Sequence, residues 1–164
     1  MDCQHKLKKF GWPVRWTGEA NIHLTLKFLG SIDDESLEKL GQIVGGVVNQ
    51  YKPFTIEFKD LLVFPNLQRP RVIGLEILEN KELNSLANEL RQKIDSENIG
   101  QKEEREFRGH ITIGRVSNPR GHWQSLSRMN FSDSFSVQSV EIMESVLKPE
   151  GPVYSIIQSF TLPS

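Results

Sequence analysis

Two histidines, His23 and His110, each open the same short pattern, His-x-Thr, in HLTL and HITI. They lie 110 − 23 = 87 positions apart. Histidine titrates near neutral pH, so one of a pair can be neutral while the other is protonated. The neutral ring can take a proton from an attacking water, and the protonated ring can give one to a leaving oxygen. Each such step typically contributes ~10²–10⁴-fold. The hydroxyls of Thr25 and Thr112 can donate to the non-bridging oxygens of a phosphodiester. Two histidines and two hydroxyls around one anion make a phosphodiesterase site that needs no metal. A cyclic phosphodiester suits it best: ring strain eases its opening, and attack and departure lie on opposite sides of phosphorus. The spacing leaves open which histidine is the acid and which the base.

Other side chains are weighed against this pair. Alternation along a strand puts Lys27 on the face of His23 and Thr25, within reach of a phosphate. The same alternation puts Arg115 on the face away from His110, where either a structural ion pair or a phosphate contact can use it. Arg69 and Arg71 sit in a proline-bounded loop and could guide an RNA strand or simply meet solvent. Tyr154, Trp16 and Trp123 read as packing residues. His5 and His122 lack the motif and read as surface residues.

The bulk properties narrow the function. The chain has 164 residues and a formal net charge of -1, which argues against a whole-surface basic field for duplex nucleic acid. Basic residues do gather between Lys102 and Arg128. Cys3 is the only cysteine, so neither an internal disulfide nor a Cys/His zinc cluster can form. No H-x-D or D-x-H pair appears, and no metal or other cofactor is expected. No apolar run approaches the ~20 residues of a membrane span. The opening MDCQHKLKKFGW lacks the apolar core of a signal peptide. A cytoplasmic protein is expected. Nothing in the sequence demands a dimer, so a monomer with no obligate protein partner is expected.

The elements that must hold the motifs follow from periodicity. NIHLTLKFLG reads as a strand, with Leu24, Leu26 and Phe28 on one face and His23, Thr25 and Lys27 on the other. Asp33 and Asp34 cap a helix that runs to about Gln50, weakened at Gly45 and Gly46. FTIEFKDLLVF is a second strand with a bulge or turn near Asp60, and RVIGLEI a third. Glu79 to Asn98 carries a helical stripe of Leu83, Leu86, Leu90 and Ile94. FRGHITIGRV is a strand with His110 and Thr112 on one face. A short helix is expected from Pro119 to Met129. Two final strands are joined at Gly151 and Pro152. The segments starting at Phe54 and Phe135 also match, so the chain reads as a repeat of strand, helix, strand, strand. The expected fold class is α+β. Two pseudo-symmetric lobes (about 15–77 and 79–162) would place antiparallel sheets around a central groove, with helices on the outside.

At these motifs the sequence resembles the two-histidine phosphoesterase superfamily, and within it the RNA 2′,3′-cyclic phosphodiesterases, also called 2′-5′ RNA ligases. RWTGEANIHLTLKFLG, RPRVIGLEI, FRGHITIGRV and KPEGPVYSIIQSFTL carry the likeness. The resemblance implies both motifs in a central groove and hydrolysis of a 2′,3′-cyclic phosphate to a 2′-phosphate. The substrates would be RNA ends or nucleoside 2′,3′-cyclic phosphates, with ligation as the reverse reaction. It implies His23 as proton donor to the 3′ leaving oxygen and His110 as proton acceptor. Thr25 and Thr112 would bind phosphate, and Arg115 matches a family position after the second motif. It also implies an opening strand that is missing before WPVRW. The competing expectation is a non-catalytic module of the same fold that holds nucleotides or RNA ends.

Overall fold

Alternating apolar residues and punctuating glycines and prolines give this chain seven strands and three α-helices among the described residues, and the pairs β1–β4, β2–β3, β3–β4 and β6–β7 are antiparallel. The computed structural model describes residues 2–120, 123, 133–149 and 151–164. In chain order the elements are α1 (Asp2–Lys8), β1 (Val14–Trp16), a 3₁₀ turn (Glu19–Asn21), α2 (Asp34–Val48) and β2 (Phe54–Phe64). They continue with β3 (Val72–Ile77), α3 (Lys81–Ser96), β4 (His110–Val116), β5 (Ser134–Val137), β6 (Ser139–Lys148) and β7 (Gly151–Thr161). The architecture is α+β, as expected. The expected helix from Pro119 to Met129 falls outside the described residues apart from Pro119, Arg120 and Trp123.

The chain forms two compact units, and each takes segments from both halves of the sequence. The first comprises 1–24, 57–78 and 109–134, and the second 25–56, 79–108 and 135–164. One sheet has the order β1-β4-β3-β2-β5. The segments matched in the sequence repeat, from Phe54 and Phe135, therefore lie in neighbouring strands. β2 shifts register between Phe58 and Leu61, at the position where the sequence predicts a bulge.

In the first unit, α1 presents Cys3, Gln4 and Leu7 inward, a one-turn apolar stripe with a polar tip. The Gln4 amide donates to the carbonyls of Thr17 and Ile113, both at 2.8 Å, and so ties α1 to β4. Ile73, Leu75, Ile111 and Ile113 of the same unit are buried. Trp123 is buried too. Its indole N–H donates to the Pro119 carbonyl at 2.9 Å, and its ring lies 5.7 Å from that of Trp12.

In the second unit, α2 and α3 cover the hairpin of β6 and β7. The Asp33 carboxylate caps α2 by accepting from the Ser36 N–H at 2.8 Å. Asn80 caps α3 from the Leu83 N–H at 2.8 Å, while its amide reaches the Thr55 carbonyl. Leu40, Val44, Val47 and Val48 of α2 pack with Leu86, Leu90 and Ile94 of α3 and with Val140, Ile142 and Leu162. Of the two glycines that weaken the helix in the sequence reading, Gly45 lies against β7, where a β-carbon would stand 3.3 Å from the Phe160 ring, whereas Gly46 faces open space; Gly41 also faces β7, a β-carbon there standing 2.5 Å from Gln158 Oε1. Small residues there let helix and strand approach closely.

Candidate active site

β4 is the axis of the site. It pairs with β3 on one edge, and on the other edge with β1 and then, through one bridge, with Leu24. The register against β3 runs Glu76↔His110, Leu75↔Ile111, Gly74↔Thr112, then skips to Ile73↔Gly114 and Val72↔Arg115. Ile113 is thus an extra residue in β4, a bulge of two residues against one. Its carbonyl is held by the Gln4 amide at 2.8 Å and by the Thr17 N–H at 3.0 Å. Gly74 faces this bulge, and a β-carbon there would stand 3.0 Å from the Ile111 carbonyl oxygen.

The bulge changes which residues share a face. Paired residues lie on the same side of a sheet, and neighbours along a strand lie on opposite sides. Gly74, Glu76 and Val72 share one side of β3, so their partners Thr112, His110 and Arg115 share it on β4. Simple alternation predicts Arg115 on the far side. The inserted Ile113 returns it to the histidine side, where it is exposed.

His23 reaches the same side by another route. After Thr17 the chain makes the 3₁₀ turn Glu19–Asn21 and returns to β4 at the antiparallel bridge Leu24↔Ile111. That bridge sets His23 across from Thr112. His110, two residues from Thr112 on the same face, is then its diagonal neighbour, a placement that separates residues by about 7–8 Å. The His23 ring is fixed within its own turn, with Nδ1 2.9 Å from the Asn21 carbonyl oxygen. A carbonyl only accepts, so Nδ1 carries the hydrogen in this contact.

His110 is held by an aromatic contact that sequence reading missed. The Phe64 ring lies 5.5 Å from the imidazole, tilted by 52°, within the range favoured by edge-to-face pairs. Phe64 pairs with Val72, which pairs with Arg115, so it belongs to the same face. Its parity with Leu62 along β2 was the available signal. Its match to His110 depends on register across three strands.

The structure brings His23, His110, Thr112 and Arg115 onto one face of one sheet. Thr25 and Lys27 belong to the second unit. The strand expected over NIHLTLKFLG is reduced to the single bridge at Leu24, because the chain leaves β4 there to enter that unit. Thr25 is exposed. The Lys27 ammonium is 2.7 Å from Asp95 Oδ1 and 3.2 Å from the Gln101 carbonyl oxygen, and its side chain is only 3% exposed. Among the described residues no three His, Cys, Asp or Glu side chains converge as metal ligands do, and no helix is long and apolar enough to cross a membrane.

Comparison with known proteins gives a family and a fold. The family model described as LigT like Phosphoesterase matches residues 3–74. An RNA 2′,3′-cyclic phosphodiesterase of Archaeoglobus fulgidus is 32% identical over 150 residues, covering 90% of this chain and 83% of the relative. One from Methanothermobacter thermautotrophicus is 31% identical over 166 residues, covering 97% and 88%. Among solved structures, TT0787 of Thermus thermophilus superposes with a TM-score of 0.82 at 26% identity, over 98% of this chain and 88% of that one. Escherichia coli LigT shares the fold, with a TM-score of 0.76 at 24% identity over 99% and 89%. About a third of the residues are shared with such relatives over nearly the whole chain: the chain belongs to the LigT-like phosphoesterase family.

Proposed function

We propose that this chain hydrolyses the 2′,3′-cyclic phosphate at RNA 3′ ends to a 2′-phosphate, without a metal, through His23 and His110. The observation that carries this reading is the diagonal placement of the two histidines about Thr112 on one sheet face. Two rings about 7–8 Å apart at the backbone leave room for one phosphate between them. His110 removes a proton from water as it attacks phosphorus. His23, through Nε2, gives a proton to the departing 3′ oxygen while the Asn21 carbonyl holds Nδ1. The Thr112 hydroxyl, lying between them, donates to a non-bridging oxygen. Thr25 stands at the matching position of the first motif. Arg115, on the same face, offsets the charge that develops on those oxygens. Lys27 holds its segment through Asp95 instead of binding phosphate. With an RNA 5′-hydroxyl in place of water as the nucleophile deprotonated by His110, the same groups form a 2′-5′ linkage: the P–O5′ bond forms, the P–O3′ bond breaks, and His23 protonates the departing 3′ oxygen.

The reading is supported by relatives named RNA 2′,3′-cyclic phosphodiesterase at about 30% identity over most of the chain. A cytoplasmic setting and a monomer complete the proposal. The test is turnover of a nucleoside 2′,3′-cyclic phosphate in EDTA, with the product identified by phosphorus NMR. A 2′-phosphate that forms with the wild-type chain and disappears in His23→Ala and in His110→Ala is the expected result. Binding without turnover would favour the nucleotide-holding module. Full turnover in both variants would overturn the assignment of the histidines.

A further inference from the structure

One end of the β1-β4-β3-β2 sheet is unusually basic for a chain of net charge -1. Arg15 stands directly opposite Arg115. Arg115 pairs with Val72, and Val72 with Phe64. Arg71 sits beside that row: its N–H donates to the Phe64 carbonyl at 2.7 Å, and its carbonyl accepts from the Val116 N–H at 2.9 Å. The loop between β2 and β3 and the segment after β4 leave from this same end. They carry Arg69, whose N–H is fixed by Asn66 Oδ1 at 3.0 Å, and Arg120, whose N–H is fixed by Asn118 Oδ1 at 3.0 Å. All five arginines are exposed. Among the described residues Arg69, Arg71, Arg115 and Arg120 make no ion pair.

The three segments that supply them, 10–18, 64–72 and 114–120, contain five arginines, no lysine and no acidic residue. They carry +5, so the rest of the chain carries −1 − 5 = −6. Like charges directly opposite across two strands weaken the pair, and an anion lying over them removes that penalty. Arginine in place of lysine favours phosphate, which its planar fork binds through two parallel hydrogen bonds.

We propose that this end of the sheet is a track for the sugar–phosphate backbone of a single RNA strand. The strand's cyclic 3′ end occupies the histidine face, and its phosphates on the 5′ side run along Arg69, Arg71 and Arg120. The inference rests on the function proposed above and adds what that site selects: an RNA strand over a free mononucleotide. The distance supports it. Four ladder steps separate His110 from Arg115, about 13 Å at 3.3 Å per residue. Contacts beyond Arg115 therefore fall on neighbouring nucleotides, where they position the strand without reading bases.

The test compares the wild-type chain with the triple variant Arg69→Gln, Arg71→Gln, Arg120→Gln on two substrates: a nucleoside 2′,3′-cyclic phosphate and a ten-nucleotide RNA ending in the same group. Each phosphate contact to a single strand steepens the salt dependence by about 0.7 in log–log slope. At 0.1 M salt that amounts to about fivefold in affinity per contact relative to 1 M. The triple variant should lose ~10–100-fold in kcat/KM on the RNA, with a salt slope shallower by about 2, and keep its kcat/KM on the nucleotide. Arg→Lys at the same three positions should retain most of the slope; if the triple Gln variant does not fold, the three single Arg→Gln variants decide, each expected to make the slope shallower by about 0.7 on the RNA and to leave the nucleotide unaffected. Unchanged RNA kinetics, or equal losses on both substrates, overturn the track. If the wild-type chain turns over neither substrate, the functional reading has failed, and fluorescence anisotropy with the same RNA judges the track alone. A tenfold weaker affinity in the variant then upholds it, and equal affinity overturns it.

Discussion

Lys27 offers a sharp test, because its two interpretations predict opposite pairs of measurements. In the structure its ammonium is 2.7 Å from Asp95 and 3% exposed, whereas the Asp95 side chain is 22% exposed. At 2.7 Å and an effective dielectric near 20, the gross attraction is about 6 kcal/mol, and desolvation takes back several. What a substitution does then depends on which partner stays behind. Lys27→Met leaves Asp95 able to regain water, so the loss should fall near 2 kcal/mol. Asp95→Asn leaves a positive charge almost sealed from solvent, with the Gln101 carbonyl as its remaining charge-stabilising acceptor, and should cost about 3–5 kcal/mol. For a chain of this size each kcal/mol moves the midpoint by roughly 2–4 °C. Urea and thermal unfolding of both variants, with the double variant closing the cycle, measure the asymmetry directly. Turnover of Lys27→Met, assayed well below its midpoint, should stay within a few-fold of wild type. Turnover reduced a hundredfold with an unchanged midpoint would refute the structural assignment and return Lys27 to the phosphate.

Further outcomes follow from packing and burial. Gly46 has open space around its α-carbon, so Gly46→Ala should stabilise α2 by up to about 1 kcal/mol. Gly45→Ala meets the Phe160 ring at 3.3 Å and should gain less or lose stability; urea midpoints of the two separate helix propensity from crowding. Asn80→Ala removes the cap of α3 and its bond to Thr55, and should cost about 1 kcal/mol by the same measurement. The Cys3 thiol is pushed up to about 11 by burial. It should resist iodoacetamide at pH 8 in the folded protein and react on unfolding, and rapid native labelling detected by mass spectrometry would contradict the packing of α1.

Local signals were legible in the sequence. Asp33 marks the start of α2, the leucines from Leu83 to Leu90 give the buried stripe of α3, and the disturbance near Asp60 is a real register shift. His110 and Thr112 share a face because alternation over two residues needs no partner strand. What failed to show depends on partners. Arg115 changes sides because Ile113 is bulged, and that bulge is held by Gln4 and Thr17, far away in sequence. The strand expected through Phe28 stops at Leu24 because the chain changes units there, and composition does not mark the crossing. Phe64 meets His110 through three strands of register, which no single-strand pattern encodes.

The interleaving of the two units has a consequence for synthesis. The chain passes from one to the other at 24/25, 56/57, 78/79, 108/109 and 134/135. Neither is therefore a run of residues that a ribosome could release ahead of the other. β3 emerges long before β4, its neighbour in the sheet, and His23 before the strand that aligns it. α2 and α3 must likewise wait for the β6–β7 hairpin that completes their core. Until the last sixty residues appear, the nascent protein carries half-sheets with open edges, the state in which chains pair wrongly. A premature stop anywhere before β4 would leave not a smaller working protein but a fragment for proteases and chaperones.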